Sequence, residues 1–160
     1  MTKGGQFGIE DNSKSLYTDQ YFMQIALQEA KKGYDAQEVP IGAVVVLQNK
    51  IIAKGYNQGE QLQDATAHAE IIALTAASNY LGSKYLTNCT LYVTLEPCLM
   101  CSGAIYWTQL GRLVFGANDN KKGFLRYNNS PLHPCTEVQP HVLKLDCREL
   151  LSDFFQKLRS

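Results

Sequence analysis

The chain has 160 residues, 45% of them hydrophobic and 19% charged, with Lys plus Arg and Asp plus Glu balanced at 15 each. That length suits one domain with its own core, and the charge balance excludes both a disordered chain and a globally basic nucleic-acid binder. No long apolar run and no leader pattern follows Met1, so a cytoplasmic protein with no membrane role is expected, and 5 cysteines, an odd number, favour thiol or metal chemistry over a disulfide framework.

Residues 1–18 mix Gly, Ser, Lys, Asp and Asn without periodicity and read as a flexible N-terminal extension; residues 19–160 read as one domain. Tyr21, Phe22, Ile25, Ala26, Leu27 and Ala30 form a helix-spaced apolar face, with Asp19 placed to cap it and Gly33 to end it. Two β-rich runs, Ile41 to Leu47 and Ile51 to Tyr56, flank the polar Gln48-Asn49-Lys50 and predict a hairpin, with Pro40 just before it. A helix follows from Ala69 to Leu81, stopped by Gly82. Then come a strand from Leu91 to Leu95, a helix from about Cys98 to Thr108, a strand from Leu113 to Ala117, and a closing helix from Leu145 to Leu158 whose end carries Lys157 and Arg159. A hairpin followed by alternating helices and strands predicts a layered α/β domain with a mixed sheet.

The chemistry concentrates in two short stretches, His68-Ala69-Glu70 and Glu96-Pro97-Cys98-Leu99-Met100-Cys101. Cysteines at i and i+3 lie on one side of a helical turn, and a helix start favours thiolate, so Cys98 and Cys101 can grip one cation. His68 supplies a third ligand, which is the number a catalytic zinc site uses when its fourth position stays open to water. Residues two apart on a regular helix diverge, so His68 and Glu70 can serve one ion only at a helix end, where the sequence puts them. Glu70 is then the proton carrier for a water whose pKa zinc lowers to about 7. Two other readings stay open: a redox Cys-x-x-Cys, or a closed structural zinc site whose fourth ligand comes from Cys89, Cys135, Cys147, His133 or His141.

The pattern H-x-E…P-C-x-x-C is the known signature of zinc nucleobase deaminases. From about Tyr21 to Arg159 the chain resembles the tRNA adenosine deaminase family. The segments that carry the resemblance are E-V-P-I-G-A-V-V-V from Glu38, G-Y-N from Gly55, T-A-H-A-E-I-I-A-L from Thr66, T-L-Y-V-T-L-E-P-C-L-M-C-S-G-A from Thr90, V-F-G-A-N-D from Val114 and L-L-S-D-F-F-Q-K-L-R from Leu150.

The resemblance implies a three-layer α/β/α cytidine deaminase-like fold, with a mixed sheet of about five strands between helices. It implies one zinc ion per subunit on His68, Cys98 and Cys101, with Glu70 as the catalytic proton shuttle. It places Asn57, Val39, Ile41 and Asp119 at the substrate, and Phe154, Phe155 and Arg159 on the nucleotides of a tRNA anticodon stem-loop, in a homodimer. Lys121 joins this set from the run Lys121 to Tyr127, which interleaves basic and aromatic residues as single-stranded RNA binding requires. The implied reaction converts the wobble adenosine to inosine. Asn118 stands where the family commonly has arginine, Gly123 to Pro134 lacks the family's Gly-Ser-Leu stretch, and Ala104 to Trp107, A-I-Y-W, resembles guanine deaminases as well. The alternatives are therefore a free guanine or cytosine deaminase and a non-catalytic, zinc-stabilised interaction module.

Overall fold

The computed structural model describes residues 16–160, so the expected extension over residues 1–18 lies largely outside the described residues. The first helix, α1, spans Asp19–Asp35. Thr18, not Asp19, is its cap: the extended Thr18 backbone lets Oγ1 accept the Tyr21 amide at 3.1 Å. Asp19 sits one residue inside the helix, where its carboxylate accepts both Arg112 guanidinium nitrogens at 2.7 and 2.8 Å and the Tyr92 hydroxyl at 2.9 Å. Gly33 does not end the helix either. It is buried against Tyr56 two residues before the end, a place where a small residue serves packing.

Strands β1 (Gly42–Leu47) and β2 (Lys50–Tyr56) form the expected hairpin. Its turn is the pair Gln48-Asn49, with φ of 50° and 62°, the left-handed geometry that matches the twist of paired strands. β1 also pairs antiparallel with β3 (Thr90–Leu95), which runs parallel to β4 (Arg112–Ala117), which runs parallel to β5 (Glu137–Gln139), giving the order β2-β1-β3-β4-β5. The mixed five-stranded sheet is thus present, although β5 consists of three exposed residues with no apolar alternation to announce it.

Alternating side chains divide the sheet between two apolar clusters. Val44, Val46, Tyr92 and Val114 pack on Phe22, Met23 and Ala26 of α1 and on Cys147 of the closing helix. The opposite face, Ala43, Val45, Leu91, Val93, Leu113 and Phe115, packs on Ala73 and Ala77 of the helix Ala69–Leu81 and on Ile105 of the helix Leu99–Trp107. With the four-residue turn of helix Gly59–Leu62 as α2, these become α3 (Ala69–Leu81), α4 (Leu99–Trp107) and α5 (Lys144–Arg159). At Gly42 a Cβ would overlap the Ala26 carbonyl and the Ala30 amide, so α1 lies directly on β1 and only glycine fits. The result is three layers, α1 and α5, the sheet, then α3 and α4. Among the described residues no helix is long and apolar enough to cross a membrane.

Candidate active site

The starts of α3 and α4 meet at the carboxyl end of β3, a usual place for chemistry on parallel strands. His68 is the cap of α3, with extended backbone at φ −77° and ψ 153°, while Glu70 lies inside the first turn. This break from helical geometry is what lets residues two apart face one centre. Asn57, at the end of β2, holds it: Oδ1 accepts the Ala69 amide at 2.8 Å. On the other side Cys98 caps α4 in extended conformation and Cys101 sits in its first turn, so the helix begins one residue later than expected. The two sulfurs approach His68 Nδ1 to 3.6 and 3.5 Å, and the three ligand atoms lie within 4.8 Å of one another.

The donor set fits a soft divalent cation. Between themselves the two sulfurs compete for one negative charge. The Cys101 thiol donates to Cys98 and, with His68, lowers the Cys98 thiol to about 4. The same hydrogen bond, with burial, drives the Cys101 thiol far upward. A dication resolves that conflict because it stabilises both thiolates at once. Glu70 is buried, and desolvation raises its carboxyl above the ordinary range. The Cys98 hydrogen bond raises His68, while the Lys122 ammonium lies near enough to oppose it.

His68 forms part of the wall of an open groove of about 1440 Å³, together with Val39, Asn57, Phe154 and Lys157. Glu70 and Cys101 lie buried, outside the residues that line that groove. Ile41 packs into the core beneath it, its carbonyl accepting the Asn57 amide at 3.2 Å. The residues expected at nucleic acid divide among three places. Phe154 faces the groove, Phe155 and Arg159 line a separate hollow of about 250 Å³ with Arg148, and Lys121 stands exposed on the loop after β4. Asp119 turns back on that loop: its Oδ1 accepts the Lys121 and Lys122 amides at 3.1 and 3.0 Å.

Three buried carboxylates went unassigned in the sequence: Glu29, which pairs with Lys32 at 2.7 Å, Glu38 and Glu96. Glu38 accepts the Glu60 and Gln61 amides at 3.2 and 2.7 Å and so fixes α2 along the groove. Glu96 accepts from the loop after β4. Glu38 and Glu96 each stand at a motif proline, in E-V-P and E-P-C, in the loops before β1 and after β3. Cys89, Cys135, Cys147, His133 and His141 stay outside the ligand cluster, the one such group found among the described residues.

Comparison with known proteins agrees with this geometry. Residues 16–117 match the family model of the cytidine and deoxycytidylate deaminase zinc-binding region. A tRNA-specific adenosine deaminase of Aquifex aeolicus is 42% identical over 146 residues, covering 88% of this chain and 96% of the relative. A solved tRNA:A34 deaminase, from work on A-to-I editing at the wobble position of transfer RNA, superposes with a TM-score of 0.77 at 39% identity, covering 82% of this chain and 99% of that one. A guanine deaminase of Bacillus subtilis superposes with a TM-score of 0.61 at 39% identity, over 63% of this chain and 65% of that one. A zinc-binding donor set in a three-layer fold, matched nearly end to end by such relatives, places the chain in the cytidine and deoxycytidylate deaminase zinc-binding family, among the tRNA-specific adenosine deaminases.

Proposed function

We propose that the protein hydrolyses the amino group of the wobble adenosine in a tRNA anticodon stem-loop, giving inosine and ammonia. The observation that carries this reading is the junction of His68, Cys98 and Cys101 with buried Glu70 beside them, in a chain whose near-full-length relatives are tRNA-specific adenosine deaminases. His68, Cys98 and Cys101 would hold zinc, which would supply Lewis acidity and lower the pKa of water for attack at neutral pH. Glu70 accepts the proton of the attacking water and delivers it to the ring nitrogen beside C6, then takes the proton of the new C6 hydroxyl and passes it to the departing amine as the C6–N bond breaks and the C6 carbonyl forms. Water is consumed and one ammonia leaves per inosine formed. Asn57 and Val39, on the groove wall, orient the base, and Asn57 keeps the His68-Glu70 turn in place.

The reading is tested with an anticodon stem-loop carrying adenosine at the wobble position, alongside free guanine, cytosine and adenosine. Inosine and equimolar ammonia from the hairpin, with little turnover of the free compounds, are the expected results. Faster turnover of free guanine or cytosine would replace the tRNA reading by a free-base one. Zinc loss that unfolds the chain, with no ammonia from any substrate, would leave only an interaction module.

We further infer a homodimer. Leu99, Met100, Tyr106 and Trp107 project from α4 at helical spacing, and Trp107 is 77% exposed, an apolar stripe that a second copy would cover. Trp107→Lys should then halve the mass seen by light scattering. A tRNA substrate fits action in the cytoplasm.

A further inference from the structure

The chain from the end of β4 through the short 3-10 turn Phe124–Arg126 carries three exposed basic residues, Lys121, Lys122 and Arg126, and Lys122 reaches the electrostatic field of His68. Such a segment has little apolar surface of its own, and without an anchor it would wander. The anchor is Glu96. Its carboxylate is buried, at 4% exposure, and has no ion-pair partner among the described residues. It is held instead by the loop: Oε1 accepts the Asn118 side-chain amide and the Asp119 backbone amide, both at 3.2 Å, and Oε2 accepts the Leu125 amide at 3.1 Å. Gly123 presses so close that a Cβ there would overlap the Glu96 carboxylate, and the Phe124 amide bonds the Pro97 carbonyl at 3.1 Å. Cys98 makes a bridge with Gly123 across the same contact. The residue two before a metal ligand thus grips both ends of the basic loop.

We propose that Glu96 is a positioning residue, which acts through the loop Asn118–Arg126 to aim Lys121, Lys122 and Arg126 at the phosphates of the RNA around the target base. This rests on the tRNA reading above. Buried donors to a carboxylate are strong, and losing the acceptor strands them, so the loop has one favoured position only while the Glu96 side chain is in place.

The experiment uses the zinc-loaded protein and Glu96→Gln, which keeps the shape but turns an N–H₂ toward one set of loop amides. By charge alone, removing an anion beside a polyanion site would tighten RNA binding. Positioning predicts the reverse: KM for the anticodon hairpin rises about tenfold, kcat per bound zinc stays within about threefold, and the salt slope of hairpin affinity becomes shallower by about one to two. The Lys121→Ala effect on KM should largely disappear in the Glu96→Gln background. Without RNA, the Asp119 and Leu125 amides should exchange hydrogen faster than in wild type. Asn118→Ala, which removes one bond to Glu96 together with the 2.7 Å contact of Asn118 Oδ1 with His141 Nε2, should move KM and exchange the same way by a smaller factor, and it stands in if Glu96→Gln does not fold, with His141→Ala expected to leave both near wild type. Unchanged KM, salt slope and loop exchange, or tighter hairpin binding, would overturn the proposal. Failure of wild type to convert or bind the hairpin would instead remove the tRNA reading, and loop exchange alone would still decide whether Glu96 anchors the loop.

Discussion

Asn57 Oδ1 accepts the backbone amide of Ala69 at 2.8 Å, the residue between His68, of the metal-binding trio, and Glu70, the proposed proton carrier. One side chain at the end of β2 therefore fixes the separation of two groups that a regular helix would send apart. Asn57→Ala removes the acceptor for a helix-start donor and should cost about 1–2 kcal/mol of stability. It should also lower kcat/KM on the hairpin at least tenfold. Asn57→Asp keeps the acceptor and should restore most of the stability but not the activity, since it adds charge at the groove wall. Thermal melts beside single-turnover rates separate the two effects.

Glu70 is a carboxylate that the fold buries at an energetic cost, shown by the upward push of its carboxyl. Such groups are kept for what they do rather than for stability. Glu70→Gln relieves the desolvation and should be at least as stable as wild type, with zinc content unchanged. Turnover should fall by about 10²–10⁴-fold, the range for a lost general acid–base. Activity retained at the wild-type level would remove Glu70 from the mechanism.

At the opposite end of the sheet, Arg112 holds the Asp19 carboxyl below the usual carboxylate range, aided by the Tyr92 hydroxyl. A lowered folded value means the unfolded chain takes up the proton first. The contribution is therefore complete above the ordinary pKa of about 3.9 and is lost as pH falls through the lowered value. Asp19→Asn should cost about 1 kcal/mol at neutral pH, a drop of about 2–4 °C in melting temperature, because the pair is partly exposed and screened. The gap to wild type should close in acid. An equal gap at every pH would show that the ion pair is not the source.

Chelation distinguishes a catalytic from a structural metal. The two apolar clusters are built from the sheet and the sheet-facing sides of α1, α3, α4 and α5, and neither includes the ligand side chains. Stripping zinc should abolish turnover and lower the melting temperature while far-UV circular dichroism stays native at 25 °C. Collapse of the helical signal on chelation would make the site structural.

How far the sequence could be read follows from where information is local. That His68, Cys98 and Cys101 can hold a metal was legible because the i, i+3 spacing and the helix starts constrain geometry within a few residues. The hairpin was legible from its β-rich runs, and α3 from Gly82, which takes the left-handed conformation at φ 62°. Thr18 was passed over as a cap in favour of Asp19, because Asp19 finds its partners in Tyr92 and Arg112, far along the chain. β5 escaped notice because it gains its place from pairing with β4 alone. Glu38 and Glu96 were hidden for the same reason, since their partners are backbone amides and, for Glu96, also the distant Asn118 side chain, which no sequence pattern displays. Adjacent Phe154 and Phe155 looked equivalent in the sequence, yet one lines the groove and the other the neighbouring hollow, as a rotation of about 100° per residue dictates.

X-ray absorption at the zinc edge of the purified protein probes the central claim most directly. One imidazole nitrogen near about 2.0 Å, two sulfurs near about 2.3 Å and one further light atom from outside the chain are the shell expected of an open catalytic site. A shell of three or four sulfurs, a second histidine, or zinc-free protein with Cys98 bonded to Cys101 would contradict it.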